Sequence, residues 1–307
     1  METTVKRNTF KLGVFVLLGS ALLTSLNQVF YANKVQTIHP FLFTGISFLI
    51  TSLYFQFFYL RQKVDRQWKV TYKPLLKLNL ASIITFMGFY YALKYIEPAI
   101  VSSLQMGIGP IFILMILVLQ KQSVITTQWI IAVGTLLASM ILIWIVLSGN
   151  SGVGLLFSIE TFLAITGSIL CGVGAVLCSV YSKQLNEIGW TSSMILANRF
   201  IGIVVVSLIL TYDSISPYFQ ENISWILFVP FFGVLLPMYL LQKGIQYTNT
   251  FMVMMSLCFI PVFTFIFQLI DSRIELSLPS LGGITLLFIM GIYSIYVENK
   301  KSIHIVN

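Results

Sequence analysis

Ten long runs of apolar residues divide this 307-residue chain, and most charged residues fall in the gaps between them. Most of these runs reach the length of about 20 apolar residues that a helix needs to cross the hydrocarbon core of a bilayer. They are too long and too uniformly apolar for the alternating pattern of a membrane β-barrel. Because hydrocarbon offers the backbone no hydrogen bonds, we expect each run to form a helix. The predicted spans are Phe10–Tyr31, Pro40–Leu60, Leu75–Leu93, Pro98–Leu119, Trp129–Leu147, Thr161–Tyr181, Thr191–Thr211, Ile223–Leu241, Phe251–Ile270 and Leu278–Val297.

The composition agrees with a chain that lies in lipid. Apolar residues make up 57% of the sequence and charged residues only 9%, whereas soluble domains carry about 25% charged residues. We therefore predict an all-α integral membrane protein whose surroundings are the lipid bilayer. The net charge of +8 is spread over short gaps and forms no basic stripe with interleaved aromatic residues, so nucleic acid is not an expected partner.

The distribution of basic residues predicts the orientation in the membrane. Lysine and arginine concentrate in cytoplasmic loops. If both termini are cytoplasmic, fourteen of the 18 basic residues lie on the cytoplasmic side, three lie on the opposite side, and Arg199 lies inside a span. Dropping one span from the middle would destroy this asymmetry. The split therefore favours ten spans, in the plasma membrane, with both termini in the cytoplasm.

Short similarities between the two halves predict an internal repeat. Gly19–Leu22 in the first span resembles Gly167–Leu170 in the sixth, and Pro110–Phe112 in the fourth resembles Pro261–Phe263 in the ninth. Their common order and nearly constant spacing predict two five-helix repeats, at residues 1–150 and 151–307. Because five is odd, the second repeat enters the membrane from the opposite side, as in many secondary transporters.

One stretch carries a family resemblance. Ala92–Ala99 contains Ala-Leu-Lys-Tyr and is followed by small residues and by Pro110–Phe112. This pattern resembles the EamA-type transporters of the drug/metabolite transporter superfamily, and Lys243–Tyr247 with Pro261–Phe263 repeats it more loosely. Members of this family often carry a glutamate about thirteen residues after that proline. Glu275 lies near this position after Pro261, but the first half has Ser123 and Val124 at the corresponding place and departs from the pattern. The resemblance implies ten helices, a central cavity between the halves, and alternating access.

Polar residues inside the predicted spans are the candidates for function, because polar groups are costly in hydrocarbon. Prolines near mid-span in the fourth and ninth spans predict broken helices, in which the backbone carbonyl groups freed by proline face a cavity. The alternative is that the small residues of these spans, Gly and Ser, serve only close packing between helices. The amides of the first span either bind a ligand or bond to a neighbouring helix. The candidate cavity residues are Asn27, Gln28, Tyr90, Tyr91, Ser102, Gln105, Met106, Pro110, Met255, Ser256 and Pro261.

Three charged residues near the spans receive separate interpretations. Glu97 and Glu160 begin the fourth and sixth spans, where negative charge is favourable at a helix N-terminus, and they are the candidates for ion coupling. Arg199 is expected to snorkel to the cytoplasmic surface. No carboxylate lies deep in a predicted span, so the expected ligand is neutral or zwitterionic and fairly apolar.

The sequence as a whole favours a secondary transporter that exports small organic metabolites, such as amino acids, related compounds or drugs. A sugar- or nucleotide-conjugate carrier, and a non-transporting membrane subunit or enzyme, are the alternatives. No catalytic constellation, metal site or P-loop is evident, so neither enzymatic activity nor a cofactor is expected. The expected partners are a small-molecule substrate and lipid, and a homodimer is the further candidate assembly.

Overall fold

The computed structural model describes residues 2–34, 38–59, 68–152, 158–214 and 228–304. In these ranges the chain consists of helices and turns, without a β-strand. The first half contains five helices that we number along the chain. They are α1 (Glu2–Lys34), α2 (Pro40–Tyr59), α3 (Trp68–Tyr95), α4 (Pro98–Leu119) and α5 (Thr126–Leu147).

The second half is also helical, but several of its spans are interrupted. A single long helix begins it and another ends it, and the segments between them are shorter. The second-half elements are α6 (Ile159–Glu187), α7 (Ser192–Asn198), α8 (Ile201–Leu210), a π-helical segment (Pro230–Leu235), α9 (Leu236–Tyr247), α10 (Thr250–Leu257), α11 (Ile260–Gln268) and α12 (Leu278–His304).

The predicted membrane architecture is confirmed. Nine helical stretches in the described ranges are long and apolar enough to cross a membrane, and they coincide with nine of the ten predicted spans. The eighth predicted span corresponds to the helical stretch 228–247, in which the π-helical segment leads into α9. Its predicted first residues, 223–227, lie outside the described part of the chain. The inverted relation of the two halves remains a prediction.

Two spans are broken, and only one of the breaks lies beside a predicted proline. In the ninth span, turn residues 258–259 separate α10 from α11 immediately before Pro261, which cannot donate the backbone hydrogen bond of a continuing helix. In the seventh span, turn residues 199–200 separate α7 from α8. The expectation of a broken helix at Pro110 is wrong, because α4 runs without interruption from Pro98 to Leu119.

Among the described helices, α3 and α6 make the most extensive contacts with each other. At this crossing Gly88 and Gly167 face each other, and a Cβ at Gly167 would lie 3.1 Å from the carbonyl oxygen of Gly88. Small residues at such crossings let two membrane helices pack backbone to backbone.

Candidate functional site

A central cavity lies between helices from both halves of the chain. Its open volume is about 70 Å³, so the cavity is narrow in this structure. Its wall is formed by α1, α3, α4, α6, α9, α10 and α11, with Arg199 and Gly233 from the interrupted spans. The lining residues are Ser20, Thr24, Asn27, Gln28, Thr85, Phe86, Phe89, Tyr90, Gln105, Met106, Cys171, Ala175, Cys178, Ser179, Arg199, Gly233, Met238, Leu241, Ile245, Leu257 and Ile260.

The structure brings five of the predicted residues to this cavity and places the others elsewhere. The five that line it are Asn27, Gln28, Tyr90, Gln105 and Met106. Residues just outside the wall are buried in helix contacts; these are Ser102, Pro110, Met255, Ser256 and Pro261. Tyr91 is only partly buried and stacks near Phe41 and Tyr95, and Glu160 is exposed at the start of α6.

Gln28 joins three helices at one end of the cavity. Its side-chain oxygen accepts a hydrogen bond from Ser102 Oγ at 2.6 Å and another from Thr264 Oγ1 at 3.1 Å. Ser102 belongs to α4 and Thr264 to α11, so these bonds connect α1 with both. Ser102 therefore acts on the cavity through Gln28 and not by lining it. Both hydrogen bonds go to the oxygen of Gln28, and its amide NH₂ group, which can donate two more, makes no described hydrogen bond.

Arg199 lines the cavity, and the expectation that it reaches the cytoplasmic surface is wrong. Its side chain is 1% exposed, because it projects from the break between α7 and α8 into the bundle. Asn79 of α3 holds this break on both sides: its amide nitrogen donates to the carbonyl oxygen of Asn198 at 3.0 Å, and its oxygen accepts from the N–H of Gly202 at 2.9 Å. Asn79 thus fixes where the guanidinium group enters the bundle.

The end of the bundle beyond Gln28 is closed by a polar network around Glu97. The two carboxylate oxygens of Glu97 accept hydrogen bonds from the side-chain amide of Gln268 and from the backbone N–H of Gly152. The oxygen of Gln268 in turn accepts from the N–H of Ala99 at 3.2 Å. Glu97 is 1% exposed, and this burial raises the pKa of its carboxyl group. The network ties the start of α4 to α11 and to the connection between the two halves.

A different type of closure is found toward the other end of α4. A second hollow there is lined by residues of α4, α5, α6 and α10, including Lys183 and Asn249. On α4, Gly109 lies between Met106 of the cavity wall and Ile113 of the hollow. Met254 and Val176 are almost completely buried and pack beside Gly109, and we call these two side chains the apolar layer between the hollow and the cavity. The amine of Lys183 caps the end of α9, donating to the carbonyl oxygen of Thr248 at 2.9 Å.

The π-helical segment contributes a feature of the cavity that no sequence pattern indicated. Gly233 lies in this segment and contacts Asn27 so closely that a Cβ at position 233 would overlap the Asn27 side chain. π-Helical turns inside α-helices occur frequently at functional sites. Pro230 begins the segment and Pro237 follows shortly after its end; these prolines were a signal for an irregular helix, but not for its contact with Asn27.

The fold and the cavity define a polytopic helical membrane protein with a central cavity lined by both polar and apolar side chains, the architecture of many secondary transporters. Residues 11–145 match the model of the EamA-like transporter family, which is part of the drug/metabolite transporter superfamily. The resemblance predicted from the sequence is therefore confirmed over residues 11–145.

Comparison with solved structures supports the fold over the whole chain. One protein crystal structure superposes with a TM-score of 0.66 at 14% sequence identity, over 93% of this chain and 96% of the other. At this identity the likeness concerns the fold alone. None of the curated proteins matches this chain in sequence.

Proposed function

We propose that this chain is a secondary transporter that exports small organic metabolites, such as amino acids or related compounds, by alternating access. The observation that carries this proposal is the central cavity, whose wall combines helices of residues 1–150 with helices of residues 151–307. A site between two repeats near the middle of the membrane is the arrangement that lets one half rock against the other.

The two different closures support alternating access. Along α4, the network at Glu97 and the far end at Leu119 are separated by 22 helical residues, or about 33 Å at 1.5 Å per residue. The Glu97 network can open only if several hydrogen bonds break together, whereas the layer at Met254 and Val176 can open by a shift of packed side chains. A cavity with a separate closure on each side can be exposed to one face at a time.

The lining supports a small ligand with both polar and apolar parts. Asn27, Gln28 and Gln105 offer amides, while Phe86 and Phe89 offer aromatic surface. A sugar- or nucleotide-conjugate carrier has to balance the charges of its phosphates. Arg199 is the only cationic side chain among the described residues that line the cavity, so this alternative receives less support. Nothing in the lining supports a membrane enzyme.

The positive-inside distribution supports a plasma-membrane location with both termini cytoplasmic. With this orientation the Glu97 network faces outward and the second hollow faces the cytoplasm. Our proposal therefore includes a plasma-membrane location with both termini in the cytoplasm. A cysteine introduced at Val64, which lies outside the described residues, should be labelled from the cytoplasmic side; its labelling from outside intact cells would contradict the orientation.

Transport by the purified protein in liposomes tests the function. We expect the protein to move labelled small metabolites across the liposome membrane, and empty liposomes to show only passive leak. The variant Gln105→Ala should reduce transport while keeping the melting temperature, because Gln105 lines the cavity and has no described hydrogen bond within the protein. Absence of protein-dependent flux for a broad panel of metabolites would contradict the proposal.

A further inference from the structure

Arg199 is a buried cation among uncharged neighbours. Its Nε–H donates to Ser82 Oγ and its Nη1–H to Gln242 Oε1, each at 3.4 Å. The thiol of Cys178 is also close. Among the described side chains Arg199 forms no ion pair, so no described carboxylate balances its charge.

The neutral neighbours compensate this charge only in part. The guanidinium carbon lies 5.0 Å from the ring centre of Phe200 and 5.9 Å from that of Phe86, distances at which an aromatic face attracts a cation. Both hydrogen bonds are long, and burying a charge without a counter-ion is strongly unfavourable in an apolar environment. The site therefore gains stability if a negatively charged group enters it.

Other hydrogen-bond donors in the same region also lack acceptors. The amide nitrogen of Gln242, a residue that is 0% exposed, has no hydrogen-bond partner. The amide NH₂ group of Gln28 makes no described hydrogen bond, since the bonds from Ser102 and Thr264 both go to its oxygen. No aspartate or glutamate occurs among the described residues that line the cavity. The cavity is thus rich in donors and carries a net positive charge.

We propose that Arg199 binds the carboxylate group of the transported molecule, so that the substrates are small carboxylates with an apolar body. This inference deepens the proposed function and rests on it. A guanidinium group presents paired N–H donors that match the two oxygens of a carboxylate. Phe86, Phe89 and Met106 line the same cavity and form a surface against which an aromatic or branched aliphatic body packs.

The proposal excludes two kinds of ligand. An organic cation meets the charge of Arg199 without a compensating acid in the described lining, so it is repelled. A phosphate ester with two negative charges leaves one charge unpaired in the cavity. Amino acids stay within the proposal, because their carboxylate binds Arg199 and the amides of Asn27 and Gln105 are available to accept from the amine.

The test compares carboxylates with their neutral amides. We choose 3-phenylpropionate with 3-phenylpropionamide, and 4-methylpentanoate with 4-methylpentanamide, and measure binding to the full-length protein in lipid nanodiscs by calorimetry at neutral pH. Wild type should bind at least one of the carboxylates about 10- to 100-fold more tightly than its amide, the range expected for a hydrogen-bonded charge pair. Equal binding within each pair, or no binding of either carboxylate, overturns the proposal.

Variants separate a ligand contact from a structural role. Arg199→Gln should reduce the carboxylate preference to about one, and Arg199→Lys should retain part of it because the charge remains while the paired donors are lost. The control Arg273→Gln removes a cation that is paired with Asp271 and should keep the full preference. Retention of the preference by Arg199→Gln overturns the proposal.

Stability without ligand gives a second readout. Because the charge of Arg199 is unbalanced in the empty protein, Arg199→Gln should melt at the same or a higher temperature than wild type. A clear loss of stability with an unchanged carboxylate preference assigns Arg199 a structural role instead. Transport assays on the same samples keep the two proposals apart: flux without carboxylate preference overturns only this inference, and carboxylate binding without flux overturns the transporter proposal.

Discussion

Glu97 carries an ionisable group into the packed end of the bundle. Burial raises the pKa of its carboxyl group above the usual 4.5, so the folded chain binds this proton more tightly than the unfolded chain does. By linkage, the free energy of unfolding falls as the pH rises from 4.5 toward the raised pKa. The loss is complete once the pH lies above the raised value.

The variant Glu97→Gln tests this linkage. Its side chain has the same shape and no proton to lose, so wild type should lose thermal stability relative to the variant as the pH rises above 4.5. Melting curves of both proteins at a series of matched pH values measure the difference, and the comparison removes the contribution of other titrating groups. Parallel curves would show that the carboxyl group is not protonated preferentially in the folded state.

At the scale of single residues, the sequence was most informative for the amides. Asn27, Gln28 and Gln105 stand out because a polar side chain in an apolar run is costly, and all three line the cavity. Arg199 stood out for the same reason, but its direction could not be predicted. Whether such a side chain snorkels or enters the bundle depends on Asn79, a residue of another helix.

At the scale of elements, the sequence predicted the spans better than their interruptions. The length and composition of a run decide whether it crosses the membrane, and both are local properties. The break before Pro261 has a local cause as well. The turn after Asn198 contains neither proline nor glycine. It has no local cause in the sequence, and a contact from Asn79 of α3 stabilises it instead.

The role of Asn79 in this break can be measured. Asn79→Leu leaves the carbonyl group of Asn198 and the N–H group of Gly202 without their partner, at a cost of about 1–3 kcal/mol for each buried group. We expect a lower melting temperature and a weaker contact between α3 and the seventh span. Asn198→Ala is the matched control, since the side chain of Asn198 bonds only within its own helix, to Met194. Equal losses in both variants would contradict this role.

The π-helical segment offers a second test at this scale. Gly233→Ala places a methyl group against Asn27, and we expect a loss of about 1–3 kcal/mol from overpacking together with reduced transport. Gly282→Ala is the control, because open space surrounds that position. Asn27→Ala in the Gly233→Ala background should recover stability, since it removes the overlapping atoms. Additive effects of the two substitutions would show that these residues do not share the contact.

At the scale of the whole molecule, hydropathy was sufficient to predict a helical membrane fold, because the bilayer imposes one length on every span. It was insufficient for the closures at the two ends of the cavity. The Glu97 network joins residues that are 171 positions apart in the chain, and no local pattern relates Glu97 to Gln268. Met254 and Val176 likewise look like ordinary apolar residues of their spans.

These closures lead to a prediction about access to the cavity. Cys171 and Cys178 line it and can report access through their reaction with a membrane-impermeant maleimide. Gln268→Ala removes the donor to Glu97 and should increase labelling from outside intact cells. Val176→Ala thins the apolar layer and should increase labelling in inside-out vesicles, because the second hollow then connects to the cavity.

The third cysteine separates opening of one closure from loosening of the bundle. Cys258 is 0% exposed and packs in the interior beside Met106, outside the cavity wall. Mass spectrometry of labelled peptides distinguishes the three positions. If Gln268→Ala and Val176→Ala act as closures, labelling rises at Cys171 or Cys178 from opposite faces while Cys258 stays unlabelled. Labelling of Cys258 in step with the others would mean general loosening, and labelling from the same face in both variants would contradict a cavity that opens separately to each side.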